Sequence, residues 1–274
     1  MFLGQMETNE ARQTQPAFQP KLNDENSREE RQRVLERLDK FCKQVTHNRR
    51  VRIVRMWHGC KKAILPNLLS NGFAALGTLD DGWYGKAMYF TSSAKYATRY
   101  CGETDGCLIM CYILLLNPFP VVAADVPLTV SPTSFRLYGK GNHKNYQYHY
   151  IPVSPVGGSD TWDYRPPTSG TDDAMYDELA VFQETNILPQ IVIHFKDGEI
   201  IMFNTNDNSK GKKCFPGRRA AILSMCVNDN NDLVATSLLD DFVRIYSLNQ
   251  QTLIKELNVI ENLIYETSEY FVQE

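Results

Sequence analysis

Several kinds of feature are missing from this 274-residue sequence. Its seven cysteines include no Cys-x-x-Cys pair, and none lies at a metal-ligand spacing from a histidine. Their odd number favours free thiols in a reducing compartment over a disulfide framework. The formal net charge of −3 provides no excess of positive charge for nucleic acid or an anionic membrane. The sequence therefore predicts no bound metal and no nucleic-acid or membrane partner.

A long apolar segment is also missing. The first 13 residues contain no apolar stretch typical of a secretory signal. The longest apolar run, residues 108–116, is too short to span a bilayer and ends at Asn117 and Pro118. We therefore expect a protein of the cytoplasm or the nucleus.

Hydrophobic residues make up 43% of the chain and charged residues 22%, which is enough for a sizeable buried core. Residues 1–25 are polar, aperiodic and rich in Gln and Asn, so we expect a disordered tail there. Ser27 and Glu30 have the spacing of a capping box, which begins a helix. Apolar residues between Val34 and Val45 recur at helical spacing and predict that this helix continues through them.

The pattern up to about residue 200 predicts an α+β fold. Strands are predicted at residues 51–57, 88–91, 108–116, 146–153, 179–182 and 191–195, and short helices at residues 64–70 and about 93–100. Glycines and aspartates over residues 74–87 predict a mobile loop. Residues 201–218 have the composition of a linker, and residues 219–274 combine short strands with an acidic tail.

Three segments contain residue types suited to chemistry: residues 57–60, 82–102 and 175–195. Each has an ordinary structural interpretation when it is taken alone. A histidine after a strand is usually half-buried and satisfied, tyrosines on a strand and a helix are usually core, and a glutamate before an apolar run usually faces solvent. Strand alternation also predicts that Asp177 and Glu178 point to opposite faces.

Taken together and in order, these segments resemble the catalytic domain of the poly(ADP-ribose) polymerase family. This family belongs to the diphtheria-toxin-like ADP-ribosyltransferases, which have a His-Tyr-Glu triad. The matching motifs are Trp-His-Gly, Gly-Lys-x-x-Tyr-Phe and Tyr-Asp-Glu-x-x-Val-Phe, and the resemblance covers residues 51–195. It implies an ADP-ribosyltransferase fold over residues 26–200, with split, mostly antiparallel sheets around an NAD cleft and a small C-terminal β segment outside it.

The resemblance also implies roles for single residues. The catalytic triad falls on His58, Tyr89 and Glu178, and Glu178 is the catalytic carboxylate. His58 contacts the adenine-side ribose of NAD, and the backbone of Gly59 pairs with the nicotinamide carboxamide. Tyr89 and Tyr100 enclose the nicotinamide ring between two aromatic faces, an arrangement that dispersion also favours.

The sequence departs from the family pattern in two places. An ungapped match puts Ala97 where the family usually has a serine that binds the carboxamide, and Ala74 where the polymerases often have an arginine. Ser93 or Thr98 could replace that serine, and a gapped match would make Ser93 the serine and Tyr96 the stacking tyrosine. The candidate NAD-binding residues are therefore His58, Gly59, Tyr89, Ser93, Tyr96 and Tyr100.

Residues 219–257 resemble one blade of a WD-repeat propeller, with Tyr246 where that family usually has Trp. A single blade cannot bury both of its faces, so it needs further blades or packs on the transferase domain. An unrelated β-meander is the alternative. A blade would offer a surface for a protein partner.

The expected reaction is transfer of ADP-ribose from NAD to a protein acceptor, with release of nicotinamide and no metal. Two alternatives use the same pocket. One is an NAD glycohydrolase, in which water is the acceptor. The other is a catalytically silent module that binds NAD or ADP-ribose on a propeller scaffold. The glutamate at position 178 argues against a silent module, and Ala97 argues for it.

Overall fold

The computed structural model describes the chain from residue 2 to residue 258 with gaps. The described residues are 2–19, 22, 25–44, 51–73, 81–102, 106–126, 131, 134–157, 163–194, 199–202, 212–215, 222–227, 233–238, 242–247, 249–250 and 252–258. The loop predicted at residues 74–87 therefore lies outside them up to residue 80, and the acidic tail lies outside them from residue 259.

Short helices and many short strands make up these residues. The α-helices are α1 (Phe2–Gln13), α2 (Arg28–Asp39), α3 (Leu65–Asn71) and α4 (Ala94–Ala97). The strands are β1 (Cys42–Gln44), β2 (Arg52–Lys61), β3 (Met88–Phe90), β4 (Gly106–Leu115), β5 (Pro118–Pro120), β6 (Tyr148–Pro155), β7 (Tyr164–Arg165), β8 (Tyr176–Val181), β9 (Ile187–His194), β10 (Glu199–Met202), β11 (Lys212–Phe215), β12 (Ile222–Val227), β13 (Leu233–Leu238), β14 (Phe242–Ser247) and β15 (Thr252–Asn258).

The strands form three sheets. The order is β3-β8-β6-β5 in one, with β7 pairing β6, and β1-β2-β4-β9-β10-β11 in the second. Strands β12 to β15 form a third sheet in sequence order, with antiparallel neighbours. The predicted α+β class with mostly antiparallel sheets is confirmed. None of the helices in the described part of the chain is long and apolar enough to cross a membrane.

The chain divides into two compact units. The first contains Met1–His58, Ala63–Ala97 and Met110–Pro189, and the second contains Gly59–Lys62, Thr98–Ile109 and Gln190–Glu274. The first unit includes the β3-β8-β6-β5 sheet, whose buried side chains form a core rich in aromatic rings. The second unit includes the β12–β15 sheet.

The N-terminal residues correct one expectation. In place of a disordered tail, residues 2–13 form α1, in which Met6 and Asn9 are buried. The Asn9 amide donates a 3.1 Å hydrogen bond to the side chain of Asn186, and Glu10 accepts a 2.7 Å bond from the backbone of Val51. Polar composition predicted disorder because partners so far away in sequence leave no local signal.

Helix α2 differs from its prediction at both ends. Ser27 is the N-cap residue, but its backbone is left-handed at φ 53° and its side chain makes no capping bond, so the predicted capping box is absent. The helix ends at Asp39, and Cys42–Gln44 pairs with β2 as a strand. Strand pairing therefore overrides the helical spacing after residue 39.

The predicted linker is not continuous. Within residues 201–218, Lys212–Phe215 forms β11, which pairs antiparallel with β10. Residues 203–211 and 216–218 lie outside the described residues. The four strands that follow are a meander, which fits both a propeller blade and an unrelated β-meander.

A buried ion pair connects α2 to the turn that follows β5. The guanidinium of Arg31, with no exposed surface, bonds both carboxylate oxygens of Asp125 at 2.8 and 3.0 Å and donates to the carbonyl of Pro120 at 2.6 Å. It also lies over the ring of Phe119, 5.0 Å from the centroid. These groups are all desolvated. Removal of either partner therefore leaves the other charge buried without compensation, and this lowers the stability of the fold.

We expect Asp125→Asn to lower the free energy of unfolding by about 3–5 kcal/mol, because it leaves the Arg31 charge buried and uncompensated. The control is Asp39→Asn, which removes the partner of Arg52 in a solvent-exposed pair and should cost less than about 1 kcal/mol. Urea unfolding of both variants is the measurement. Equal losses of unfolding free energy in the two variants would show that the buried ion pair stabilises the fold no more than the exposed pair does.

Candidate active site

The register of β3 against β8 places Tyr89 and Glu178 on one face of their sheet. Tyr89 lies directly opposite Ala180 in the antiparallel pair. Glu178 is two residues before Ala180, so its side chain points to the same face as those of Ala180 and Tyr89. Two of the three predicted triad residues are therefore brought to one surface by strand pairing alone.

Tyrosine side chains surround Glu178. The carboxylate side chain is nearly buried, with 8% of the residue exposed, and Oε1 accepts a 2.5 Å hydrogen bond from the hydroxyl of Tyr96. The Tyr96 ring stacks on Tyr176 at 4.9 Å between centroids and meets Tyr164 edge-on at 4.8 Å. These two rings fix the position of the hydroxyl that contacts Glu178.

Asp177 faces the other way, as strand alternation predicts. Its Oδ1 accepts hydrogen bonds from the Thr91 hydroxyl at 3.0 Å and the Ser92 backbone at 2.7 Å. Its Oδ2 accepts a 3.0 Å bond from the Tyr150 hydroxyl, and burial together with the Asp177 charge raises the pKa of Tyr150. Asp177 therefore fixes the chain between β3 and α4, while Glu178 lies among the tyrosines.

The glycine-rich turn before β3 holds the Tyr89 hydroxyl. That hydroxyl donates to the carbonyl of Gly85 at 2.7 Å and accepts from the backbone of Tyr84 at 3.0 Å. Gly82 has φ +61°, and a Cβ there would lie 2.2 Å from the Gly85 carbonyl and 2.6 Å from the Tyr89 hydroxyl. Only glycine fits at this position. The Tyr89 hydroxyl therefore packs directly against the backbone of the turn and is held there by its two hydrogen bonds.

His58 is connected to Tyr89 through the main chain. Its Nδ1 lies 2.9 Å from the Tyr89 carbonyl, which can only accept, so Nδ1 carries the proton. Burial lowers the pKa of His58, and the bond to Tyr89 raises it by less. The ring is also held by Phe73 and Phe90, at 5.2 and 5.4 Å between centroids. A neutral ring of this kind presents Nε2 as an acceptor for a hydroxyl.

The remaining predicted NAD-binding residues have different surroundings. Ser93 immediately precedes α4, and its hydroxyl accepts a 3.2 Å bond from the Tyr96 backbone, while Ala97 is buried. Gly59 and Tyr100 belong to the second unit, in which 48% of Tyr100 is exposed and Gly59 is half-buried. A ring clamp made by Tyr89 and Tyr100 stays a prediction.

Sequence reasoning missed several tyrosines of the site. Tyr176 could have been found, because it lies two residues before Glu178 and so shares its face. Tyr84 is fully buried, and burial together with the charge of Glu178 raises its pKa. Its hydroxyl donates to the carbonyl of Tyr164 at 2.7 Å. No local pattern connects Tyr84 or Tyr164 to a carboxylate so far along the chain.

The arrangement supplies a carboxylate, a neutral histidine and flat aromatic surfaces. A nearly buried carboxylate among aromatic rings can stabilise a positive charge that develops in a bound ligand. The described residues contain no group of three His, Cys, Asp or Glu side chains that could hold a metal ion.

We expect Asp177→Asn to lower the free energy of unfolding by about 1–3 kcal/mol. The amide nitrogen of the asparagine cannot accept a hydrogen bond, so at least one of the groups that donate to Asp177 loses its acceptor. The matched control is Asp172→Asn, since Asp172 is exposed and should change stability by less than about 0.5 kcal/mol. Denaturant unfolding separates the two. An unaffected Asp177→Asn variant would mean that these three hydrogen bonds do not support the site.

A family model provides an independent comparison. The poly(ADP-ribose) polymerase catalytic domain model matches residues 9–197, well over half of the chain, and this span includes His58, Tyr89 and Glu178. No curated protein matches the chain significantly. The matched span ends before β12, so the WD-repeat interpretation of the C-terminal sheet stays a prediction. Catalytic domains of this kind use NAD as a co-substrate. By this match, the chain belongs to the poly(ADP-ribose) polymerase catalytic domain family.

Proposed function

We propose that this protein transfers ADP-ribose from NAD to a protein acceptor, with Glu178 as the catalytic carboxylate. The observation that carries the proposal is the common face of Tyr89 and Glu178, with the Tyr96 hydroxyl 2.5 Å from the carboxylate. Family membership supports NAD as the substrate.

The chemistry explains why a carboxylate is needed. The bond between the ribose C1 and the nicotinamide nitrogen breaks, and both of its electrons leave with nicotinamide, which becomes neutral. Positive charge then builds up on the ribose until the acceptor forms the new bond to C1 and releases its proton. A fixed negative charge stabilises this cationic sugar more than it stabilises bound NAD, and that difference accelerates the reaction.

His58 and Tyr89 suit binding. The acceptor lone pair on Nε2 of His58 can receive a ribose hydroxyl, because Nδ1 is held by the Tyr89 carbonyl. The Tyr89 ring provides a flat surface for an aromatic ligand, and its hydroxyl already has a donor and an acceptor in the turn. Both groups are held before any ligand binds, which reduces the ordering cost of binding.

Ala97 bears on affinity. It is buried and has no hydroxyl for the nicotinamide carboxamide, and the nearby Ser93 hydroxyl accepts a bond from the helix backbone. We therefore expect weaker NAD binding than a serine at position 97 would give. The chain has alanine in place of the family's serine at position 97, but it retains Glu178. We therefore propose a catalyst rather than a silent NAD-binding module.

Replacing Glu178 by Gln tests the proposal. The amide keeps the size of the side chain but removes the charge that faces the developing cation, so the transfer rate should fall by about 10²–10³. The dissociation constant for NAD should change by less than about threefold, because the charge matters mainly in the transition state. Labelled NAD, followed by gel and mass analysis, measures both protein-bound and free ADP-ribose.

Glu36→Gln, in the exposed part of α2, is the control and should transfer at the wild-type rate. Wild-type transfer by Glu178→Gln would refute the assignment of the carboxylate. Free ADP-ribose without a protein adduct in the wild-type reaction would instead favour the glycohydrolase.

Replacing Tyr96 by Phe tests the hydroxyl above Glu178. The ring stack on Tyr176 is preserved, but the carboxylate loses a charge-assisted hydrogen bond of about 1.5–3 kcal/mol. The transfer rate should fall at least about tenfold with unchanged NAD affinity. Tyr112→Phe, on β4, is the control. A variant that transfers normally while Tyr96→Ala loses NAD binding would favour the gapped match, in which Tyr96 stacks on nicotinamide.

A further inference from the structure

Three cysteines and a histidine lie together in the second unit, and the proposed transferase chemistry uses none of their side chains. Cys60 is near the end of β2, Cys107 near the start of β4, and His194 is the last residue of β9. Cys101 lies between them in sequence, and its thiol donates a 3.0 Å bond to the carbonyl of Cys107. All four residues are buried, and none of the three cysteines is in a disulfide.

The polar contacts within this cluster converge on the sulfur of Cys107. The Nδ1 atom of His194 lies 3.3 Å from Cys107 Sγ, and the Cys60 thiol also hydrogen-bonds this sulfur. Lys62 adds positive charge from the same unit. Donors and positive charge around one sulfur favour its ionised form, which is the nucleophilic form of cysteine.

Three other cysteines do not share this environment. The hydrogen bond from Cys60, then His194 and Lys62, lower the pKa of Cys107 to about 5 although burial raises it. Burial raises the pKa of Cys101 to about 12 and that of Cys42 to about 11. Cys111 lies on β4, four residues after Cys107. Burial alone raises the pKa of Cys111 well above its usual value.

We propose that Cys107 is a peroxide-reactive thiolate and that Cys60 is its resolving partner, so that the pair forms a disulfide on oxidation. The Cys107 thiolate attacks one oxygen of hydrogen peroxide, the O–O bond breaks, and the products are a Cys107 sulfenic acid and hydroxide. The Cys60 thiol then displaces water from the sulfenic acid and forms the S–S bond. Peroxide gains two electrons, and the two thiols lose them.

The positions of the two sulfurs fit this reaction. Strands β2 and β4 are neighbours in their sheet, and a hydrogen bond already connects the two side chains. The two side chains therefore already approach each other, as formation of an S–S bond requires. Both cysteines are within two residues of a strand end, where local opening costs less than at a strand centre. Hydrogen peroxide is small and neutral, so a brief opening admits it.

A metal is not the better explanation of the cluster. Three cysteines and one histidine are common zinc ligands, but the described side chains include no group of three placed to hold a metal ion. The Cys101 thiol is directed to a backbone carbonyl rather than to the other two sulfurs.

The test is oxidation of the reduced full chain with about equimolar hydrogen peroxide, followed by peptide mapping with and without a sulfenic-acid trap. The mapping is needed because the chain has seven cysteines. We expect a Cys60–Cys107 disulfide in the wild type and a trapped sulfenic acid at Cys107 in Cys60→Ser. Cys107→Ser should form neither product, and Cys111→Ser, the matched control on β4, should behave as the wild type.

The pH dependence of the wild-type rate gives a second measurement that needs no variant to fold. Because the Cys107 thiolate is already formed, its oxidation rate should change by less than about twofold between pH 6 and pH 8, whereas an ordinary thiol gains about tenfold per unit below its pKa. A tenfold rise per unit, or first oxidation at another cysteine, would overturn the proposal. Neither readout involves NAD, so their failure is separate from a failure of the proposed transferase activity.

Discussion

The site depends on the antiparallel register between β3 and β8. This register sets Tyr89 opposite Ala180 and so gives Tyr89 and Glu178 a common face. A slip by one residue would exchange Asp177 and Glu178 between the two faces of the sheet. The aromatic surroundings of Glu178 and the polar surroundings of Asp177 are too different for either carboxylate to take the other's place. Burial on both faces therefore fixes the register, and the register determines which carboxylate lies among the tyrosines.

The adjacent carboxylates of Asp177 and Glu178 consequently have different hydrogen-bond partners and different roles. Asp177 organises the chain after β3 through Thr91 and Ser92, which places Tyr96 one helical turn later. The Tyr96 hydroxyl then donates its hydrogen bond to Glu178. One carboxylate thus positions the tyrosine that contacts the other. The backbone bond from His58 to Tyr89 extends the same rigid assembly to β2.

Sequence reasoning succeeded where the signal was local. Alternation and short apolar runs located most strands of the first 194 residues, and the ordered motifs indicated the family whose model matches residues 9–197. The roles of His58, Tyr89 and Glu178 stay predictions. It failed where the decisive partner was remote. Helix α1 depends on a contact between side chains 177 positions apart, and the bond from Tyr96 to Glu178 spans 82 positions. Strand β11 forms in a polar segment because β10 offers it a partner. Periodicity within a window contains no information about such pairs.

The fixed ring of His58 has a use beyond chemistry. Its Nδ1 must keep the proton that it donates to the Tyr89 carbonyl, so only Nε2 is left to respond when the site is filled. The nitrogen-15 chemical shift of an imidazole reports directly whether each ring nitrogen is protonated, hydrogen-bonded or neither. With Nδ1 as an internal reference in the same ring, one labelled histidine could act as a built-in spectroscopic probe of occupancy, without a dye or a substitution in the pocket.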